Sequence, residues 1–214
     1  MKIELSKLIP FPIIEIPHED SEMWEVDSVV FTDSELCYIQ APSGKGKTSL
    51  LSILYGIRSD FKGKLSINGE NAALFDAFRW SKIRKNSLSY IFQGLELFDD
   101  LSALDNIQLK NSQRHYKTES EIRQMAQNME VEGFLGKKCG ILSYGQRQRI
   151  AIIRALCQPI RFLLADEPFS HLDSKSSQLA FDTIHTELKA QNAGLLLTGL
   201  QSKPVFDLNK IIRL

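Results

Sequence analysis

The chain has 214 residues, a length that fits one domain of ordinary size and leaves little room for a second one. Lysine plus arginine and aspartate plus glutamate each number 26, so no overall charge attracts nucleic acid, and we expect no nucleic-acid partner. Because the three cysteines are isolated and neither a signal-peptide core nor an apolar run of about 18 residues occurs, we expect a protein of a reducing compartment that neither spans a membrane nor is exported.

The first predicted strands flank a proline-rich stretch. Residues 3–16 are rich in β-branched side chains, but the prolines at 10, 12 and 17 favour edge strands over a central strand. Residues 26–31 and 36–40 are also predicted strands, and the second is predicted to be central because it is apolar. Phe11 and Trp24 are candidates for stacking on an adenine, although a core position is the favoured interpretation for each.

A short apolar strand, a loop of small residues and the start of a helix follow one another over residues 38–51. Backbone N–H groups between Gly44 and Ser49 can converge on one point, where the helix dipole favours negative charge and Lys47 adds a positive charge. Such a point suits a phosphate, and the Thr48 hydroxyl is placed to ligate the Mg²⁺ that accompanies a nucleoside triphosphate. The alternative is an ordinary glycine-bearing turn between a strand and a helix.

This phosphate loop is close to the pattern G-x-x-x-x-G-K-[ST], with Ala41 in place of the first glycine. The alanine methyl is expected to raise the cost of a positive φ by about 1 kcal/mol. The helix that follows is predicted over residues 48–55, with Gly56 as its stop. The candidate nucleotide-binding residues of the loop are Ala41, Pro42, Ser43, Gly44, Lys45, Gly46, Lys47, Thr48 and Ser49.

Two further strand patterns precede the middle of the chain. Residues 64–67 alternate and are followed by Asn68-Gly69, which predicts a hairpin. Residues 87–92 predict a strand that ends at Gln93. A glutamine at the carboxyl end of such a strand can reach a metal ion or its water, which makes Gln93 a candidate site residue. The alternative is a solvated cap of the strand.

Beyond Gln93 the period of apolar residues changes from two to about 3.6. Residues 101–109 are weakly helical, and Thr118 with Glu121 forms a capping box that predicts a helix to about Met129. We therefore predict a single α/β domain over residues 1–214, with a helical subdomain of roughly residues 94–158 inserted in its core.

The sequence Leu-Ser-Tyr-Gly-Gln at residues 142–146 precedes a helical pattern over residues 147–156. Ser143 and Gln146 have capping-box spacing, so one interpretation is an ordinary helix start. The other is a second anion site, because a helix N-terminus with a serine hydroxyl and the flexible Gly145 is well suited to a phosphate.

A buried apolar strand over residues 161–165 ends in the adjacent acids Asp166 and Glu167. Following a phosphate loop, Asp166 can hold Mg²⁺ through water, and Glu167 can polarise the attacking water as a general base. Asp173 is predicted to cap a helix over residues 174–190. Residues 195–198 are predicted to be the last internal strand of the core.

Together these motifs resemble the nucleotide-binding subunit of an ATP-binding cassette (ABC) transporter over nearly the whole chain. In the family's order, the matches are the phosphate loop at residues 41–48, the metal- and transporter-sensing glutamine at Gln93, the LSGGQ signature at residues 142–146, the second nucleotide motif at residues 162–167 and the SALD loop at residues 170–173. The segment of residues 90–107 is similar to the lipoprotein-releasing, cell-division and macrolide-exporter branch of the family.

The resemblance implies a P-loop NTPase (RecA-like) core with a mostly parallel sheet and antiparallel edge strands, plus the inserted helical subdomain. It also implies ATP and Mg²⁺ as cofactors and ATP hydrolysis as the activity. Glu167 and Gln93 would be catalytic, and Thr48, Gln93 and Asp166 would bind the metal. The remaining nucleotide-binding residues that it implies are Ser143, Gly145, Gln146 and Asp173.

The same resemblance implies two kinds of partner. Two cassettes, identical or different, would close head to tail, so that Ser143 and Gly145 contact a γ-phosphate held by the partner's Lys47. Transmembrane permease subunits would dock near Gln93, which would place the chain in the cytoplasm, peripheral on the inner face of the membrane. Around Gln93, the side chains of Leu95, Leu97 and Phe98 are predicted to expose an apolar docking surface.

Besides Ala41, two residues depart from the family's pattern. Tyr144 replaces the first signature glycine and adds bulk at the helix start. Gly199 stands where the family has a histidine that links the γ-phosphate to the catalytic glutamate, and losing such a contact commonly lowers a rate about 10²–10³-fold. His171 and Gln201 are near in sequence but do not match that position. A nucleotide-gated clamp with weak hydrolysis, or a soluble ABC ATPase of DNA repair or translation, is therefore the alternative to a transporter motor.

Overall fold

The computed structural model describes residues 1–17, 21–33, 35–200, 206 and 208–214. Its strands are β1 (Lys2–Pro10), β2 (Val29–Thr32), β3 (Leu36–Gln40), β4 (Phe61–Ile67), β5 (Glu70–Asn71), β6 (Leu88–Ile91), β7 (Phe162–Asp166), β8 (Gly194–Gly199) and β9 (Lys210–Arg213). Its α-helices are α1 (Lys47–Leu54), α2 (Ala77–Asn86), α3 (Ala103–Asn111), α4 (Glu119–Asn128), α5 (Tyr144–Leu156) and α6 (Ser174–Gln191). The strands form two sheets, so the predicted α/β class is confirmed.

The first sheet is antiparallel and has the order β2-β1-β4-β5. Its strand β1 pairs with β2 on one side and β4 on the other, so the predicted edge position of this segment is wrong. The prolines do not interrupt the pairing, because Pro10 ends the strand and Pro12 lies in the 3-10 helix Phe11–Ile13 that follows. Gly63 of β4, with φ of 95°, lies so close to β1 that an added Cβ would be 2.1 Å from the Lys7 carbonyl oxygen.

The predicted hairpin is present between β4 and β5, where Ile67 pairs with Glu70. Its two connecting residues, Asn68 and Gly69, both have positive φ, at 52° and 82°. A two-residue turn of this kind matches the right-handed twist of the flanking strands, and Asn-Gly tolerates it well.

The second sheet has the order β6-β7-β8-β3-β9, and each neighbouring pair is parallel. Strands β3 and β8 are interior, as predicted, whereas β9 adds a strand that the sequence pattern did not predict. Because all five strands run the same way, their carboxyl ends lie at one edge of the sheet. That edge carries the phosphate loop after Gln40, the end of β6 at Ile91, the acids after Ala165, and Gly199.

The helices divide between the two faces of the parallel sheet. One apolar cluster packs side chains of α3, α4, α5 and α6 against the sheet, and the other packs α1 and the antiparallel sheet on the opposite face. The predicted capping box of Thr118 and Glu121 begins α4, and Asp173 caps α6 as predicted. Within the described part of the chain, no helix has the length and apolar content needed to cross a membrane.

Candidate functional site

The phosphate loop joins the end of β3 to the start of α1. Gly44 and Gly46 have φ of 80° and 91°, a conformation that glycine adopts without strain. A Cβ at Gly46 would lie 2.8 Å from Ile13 and 3.1 Å from Trp24, so the loop is packed against the segment that follows β1. No side chain caps the first turn of α1. Its leading N–H groups are therefore available to a ligand, as the sequence predicts.

Ala41 fits this loop without backbone strain. Its φ is not positive, so the expected cost of an alanine at this position does not arise, and that prediction is wrong. The residue is buried; its N–H donates to the Gly199 carbonyl at 3.3 Å, and its own carbonyl accepts from Lys47 Nζ at 2.7 Å. Ala41 thus connects the loop to the end of β8.

Lys47 is buried and has oxygen atoms around its ammonium group. Its Nζ donates to the carbonyl oxygens of Ala41 and Pro42, at 2.7 Å and 3.0 Å, and lies 3.2 Å from Glu167 Oε1. The structure therefore brings the cation of the phosphate loop and the predicted general base into direct contact. Neither residue is close to the other in sequence.

Asp166, at the end of β7, is held by hydroxyl groups. Thr198 Oγ1 donates to Asp166 Oδ1 at 2.8 Å, and the Thr48 side chain hydrogen-bonds to the same carboxyl group. Burial raises the pKa of Asp166, while the hydrogen bonds from Thr48 and Thr198 act in the opposite direction. The Thr48 hydroxyl and the Asp166 carboxylate are hard oxygen donors of the kind that Mg²⁺ prefers, so these two residues fit the predicted metal site.

Glu167 follows the strand in a left-handed conformation, with φ of 47°. A residue with a Cβ pays about 1–2 kcal/mol for this conformation, which places the side chain against Lys47. Its N–H donates to Thr198 Oγ1 at 3.1 Å. Thr198 therefore positions both acids, a role that the sequence analysis missed because the residue lies on another strand.

Gln93 lies two residues beyond the end of β6 and is exposed to solvent. Its backbone carbonyl accepts a hydrogen bond from the Tyr144 hydroxyl at 3.1 Å. Among the contacts of the described residues, none joins the Gln93 side chain to Thr48, Asp166 or Glu167. The metal-binding role of Gln93 remains a prediction.

The signature segment forms the predicted helix start. The Ser143 Oγ accepts from the Gln146 N–H at 3.3 Å, and the Gln146 side chain accepts from the Ser143 N–H at 2.9 Å. The N–H groups of Tyr144 and Gly145 meet no acceptor within the described chain, so they can receive an anion. The Tyr144 ring turns away to Gln93 and to His171, whose ring centroid is 4.3 Å distant.

No hydrogen bond or ion pair between described residues joins residues 143–146 to residues 41–49. Asp173 serves as the cap of α6, accepting from the N–H and hydroxyl of Ser176, and these hydrogen bonds lower its pKa. The nucleotide contacts of Gln146 and Asp173 remain predictions.

Gly199 lies beside a buried tyrosine of the neighbouring strand. A Cβ at Gly199 would lie 2.3 Å from the Tyr38 hydroxyl and 2.9 Å from two atoms of its ring. The Tyr38 side chain from β3 thus fills the space next to the end of β8. Only a residue without a side chain fits at position 199 beside it. The sequence analysis missed Tyr38, and Gln201 lies outside the described residues.

The structure corrects the predicted exposure of two side chains, Phe11 and Leu95. Trp24 is 3% exposed and belongs to the core, whereas Phe11 is 53% exposed, so the favoured core interpretation is wrong for Phe11. Leu95 is 2% exposed and cannot form part of the predicted docking surface, although Phe98 is 59% exposed. Leu95 has a φ of 62°, a turn conformation that directs the loop inward and that apolarity alone does not reveal.

A family model described as "ABC transporter" matches residues 27–170, more than half of the chain. The chain belongs to the ABC transporter family. The ABC transporter ATP-binding protein YxdL of Bacillus subtilis (strain 168) is 33% identical over 157 residues, which are 72% of this chain and 61% of YxdL. The chain thus spans less than two thirds of the length of that relative.

A second relative in the ABC family is compatible with the predicted branch. The lipoprotein-releasing system ATP-binding protein LolD 1 of Rhodopirellula baltica is 31% identical over 172 residues, which are 79% of this chain and 75% of that protein. Among solved structures, the dimeric ABC transporter cassette MJ0796 is similar with a TM-score of 0.74 and 26% identity, covering 92% of this chain and 87% of that one. This similarity confirms the predicted ABC cassette fold.

Proposed function

We propose that this ABC family member binds ATP with Mg²⁺ and hydrolyses the bond between its β- and γ-phosphates. The observation that carries the proposal is the contact of Lys47 with Glu167, next to the Asp166 carboxyl group. A loop of free N–H groups, a buried cation and two carboxylates at one sheet edge supply what phosphoryl transfer to water needs. MJ0796 has been solved with ADP and Pi bound, which supports the same chemistry here.

Each residue has a distinct part in this proposal. The N–H groups at the start of α1 and the Lys47 ammonium would bind phosphate oxygens, while Thr48, Asp166 and Gln93 would hold Mg²⁺, whose charge would offset that of the phosphates. Glu167 accepts the proton of the attacking water. Of the two aromatic candidates for adenine, we propose Phe11, because it is exposed and the packed residue Ile13 places its segment beside the loop.

The nucleotide site is completed by a second cassette, identical or different. The open N–H groups of Tyr144 and Gly145 suit a phosphate, and the Ser143 hydroxyl can still donate its proton, because its oxygen is the acceptor in the capping bond. Among the described residues, these groups form no hydrogen bond with the phosphate loop of their own chain. A head-to-tail pair would bring them to the γ-phosphate bound by the partner's Lys47, and the solved dimer of MJ0796 supports this arrangement.

The closing and opening of the pair would drive transmembrane permease subunits, with this chain on the cytoplasmic face of the membrane. The relatives named as transporter ATP-binding proteins support this part of the proposal. The exposed Phe98 and the partly buried Leu97 remain candidates for the docking surface, without Leu95. Because acidic and basic residues balance at 26 each, the proposal includes no nucleic-acid partner.

The test compares wild type with Glu167→Gln, which keeps the shape and removes the base. We expect phosphate release to fall at least about 100-fold, and gel filtration with ATP and Mg²⁺ to show a dimer that accumulates because ATP is trapped. Glu132→Gln, a change at an exposed residue, is the matched control. Equal phosphate release by wild type and Glu167→Gln would contradict the motor and favour the nucleotide-gated clamp, for which Gly199 is the supporting observation.

A further inference from the structure

Arg58 joins the first turn of α1 to the segment that precedes β4, and we call Ser49, Arg58 and Asp60 the Arg58 cluster. The Arg58 Nη1 donates to Ser49 Oγ at 3.2 Å, and the Arg58 Nε donates to Asp60 Oδ1 at 2.8 Å. The Arg58 Nη2 donates to the other carboxylate oxygen, Asp60 Oδ2. One guanidinium group thus holds a serine of the phosphate loop and a carboxylate at the same time.

The chain after α1 folds back against the helix and so places Arg58. Gly56 has φ of 72°, and the N–H groups of Ile57 and Arg58 both donate to the Ser52 carbonyl, at 3.0 Å and 3.3 Å. Ser52 lies three residues after Ser49, on the same side of α1. The Arg58 side chain therefore spans only about one helical turn, roughly 5.4 Å, to reach Ser49.

Asp60 fixes the other side of the guanidinium group. Its carbonyl accepts from the Phe11 N–H at 3.0 Å, which connects the Arg58 cluster to the exposed ring that we propose for adenine. The hydrogen bonds between the two side chains raise the pKa of Arg58 and lower the pKa of Asp60, so both groups are charged at neutral pH. Because the Arg58 side chain is 33% exposed, this ion pair alone contributes little to the stability of the fold.

The contact with Arg58 decides where the Ser49 hydroxyl can send its proton. A guanidinium group has donors but no acceptor, so the Ser49 oxygen must be the acceptor in this hydrogen bond. The Ser49 proton is therefore available, and among the described residues the Ser49 side chain forms no second hydrogen bond. The neighbouring Thr48 is different, because its side chain is hydrogen-bonded to Asp166.

Open backbone donors lie next to the Ser49 hydroxyl. The intrahelical hydrogen bonds of α1 begin with the Leu50 N–H, which donates to the Gly46 carbonyl at 2.8 Å. The N–H groups of Lys47, Thr48 and Ser49 precede this bond and have no acceptor within the helix. A hydroxyl donor beside three backbone donors suits the oxygen atoms of a phosphate.

We propose that Arg58 is a positioning residue that directs the Ser49 hydroxyl proton to a phosphate oxygen of the bound nucleotide. By donating to the Ser49 oxygen, the guanidinium group turns the Ser49 proton away from itself and toward the open N–H groups. The same hydrogen bond polarises the hydroxyl and makes it a stronger donor. Asp60 takes two of the remaining Arg58 donors and so keeps the guanidinium group in place. The proposal rests on the proposed function, because it assigns a further residue to the same nucleotide site.

The first test is a double-mutant cycle on the affinity for adenylyl imidodiphosphate, an ATP analogue that is not hydrolysed, with Mg²⁺ in titration calorimetry. Arg58→Met keeps the alkyl stem and removes the guanidinium group, and Ser49→Ala removes the hydroxyl. Each change should weaken binding about fivefold, whereas adding the second change to the first should cost less than about twofold, because the two groups act as one unit.

Arg79→Met is the matched control, because Arg79 of α2 forms a similar exposed ion pair with Glu70 of β5. This variant should bind the analogue as wild type does, and its thermal unfolding should resemble that of Arg58→Met. Equal losses of affinity in Arg58→Met and Arg79→Met would mean that any surface ion pair has this effect, and the proposal would be wrong.

The second test repeats the titrations with inorganic tripolyphosphate, which has the three phosphates without adenine or ribose. Arg58→Met should weaken the binding of tripolyphosphate and of the analogue by the same factor. A loss confined to the analogue would assign Arg58 to adenine or ribose, and additive losses in the cycle would assign it to direct charge attraction; either result would overturn the proposal. If wild type binds neither probe, the proposed nucleotide site fails as well. If wild type and Arg58→Met bind both probes equally, only the role of Arg58 fails.

Discussion

The N-termini of α1 and α5 both match phosphate-binding patterns, yet they present their donors differently. At α1 the cap is Gly46 in a left-handed conformation, without a side-chain hydrogen bond, and Lys47 follows directly. At α5 the side chains of Ser143 and Gln146 each satisfy a backbone N–H of the other. The first helix keeps its donors open beside a buried cation, whereas the second uses part of its donors for its own stability.

This difference fits the proposed roles of α1 as the primary phosphate site and of α5 as a contributor to the nucleotide of a second copy. The α1 site combines N–H groups with the full charge of Lys47, so it can bind a nucleotide without help. The α5 site offers the Ser143 hydroxyl and the N–H groups of Tyr144 and Gly145, and the nearest cation in its sequence, Arg147, is paired with Asp99 at 2.7 Å. Under the proposed function, such a site would strengthen the binding of a phosphate that the α1 site of the partner already holds.

Among changes that compare the two helix N-termini, the largest effect is expected from Lys47→Ala, which removes the cation at α1. ATP affinity should fall at least tenfold, the equivalent of about 1.4 kcal/mol, in a titration with fluorescent ATP. Lys45→Ala is the matched control, because the Lys45 ammonium reaches the Pro17 carbonyl at 3.3 Å and its backbone N–H is retained. Unchanged affinity in Lys47→Ala would contradict the assignment of α1 as the primary site.

The next effect tests whether a histidine at position 199, near the α1 site, can assist hydrolysis. Gly199→His alone should not accelerate hydrolysis, because its Cβ would overlap Tyr38. Tyr38→Ser opens that space, so the double variant Tyr38→Ser, Gly199→His should release phosphate about tenfold faster than Tyr38→Ser alone. An equal gain from Gly199→His in the wild-type background would show that Tyr38 is no obstacle. No gain in the double variant would mean that a histidine at this position cannot assist Glu167.

The smallest effect separates helix capping from phosphate binding at α5. Ser143→Asp and Ser143→Asn both keep a good cap, so thermal unfolding should change little. The aspartate adds a negative charge near the γ-phosphate of the partner, which should weaken ATP-dependent dimerisation by about 1 kcal/mol, or roughly fivefold. The asparagine adds none and should dimerise nearly as wild type. Equal dimerisation of the two variants in analytical ultracentrifugation would remove α5 from the nucleotide site.

Features that depend on neighbouring residues in sequence are predicted well. The hairpin at Asn68-Gly69 and the capping boxes that begin α4 and α5 agree with the structure because both partners of each contact lie within a few residues. The resemblance carried by the order of the motifs likewise predicts the mostly parallel sheet, whereas the contact of Lys47 with Glu167 at its edge is seen only in the structure. Here a regular fold converts chain order into spatial position.

Features that depend on distant strands and turns are not predictable in this way. Leu95 is apolar like Phe98, and only the turn at Leu95 decides that one is buried and the other exposed. The position of β1 inside its sheet depends on which strands pair with it, not on its prolines. To predict that a side chain at position 199 would overlap Tyr38, one must know the register of β3 against β8.

The Thr198 hydroxyl has a consequence for how this family member can change during evolution. It holds Asp166 Oδ1 and the Glu167 N–H, while the next residue, Gly199, faces Tyr38. Because the two acids take their positions from residue 198 and a Cβ at residue 199 would overlap Tyr38, a side chain can arise at position 199 only together with a smaller residue at position 38. We expect substitutions at position 199 to alter the rate of ATP hydrolysis. Substitutions at position 198 would instead remove the hydroxyl that positions Asp166 and Glu167.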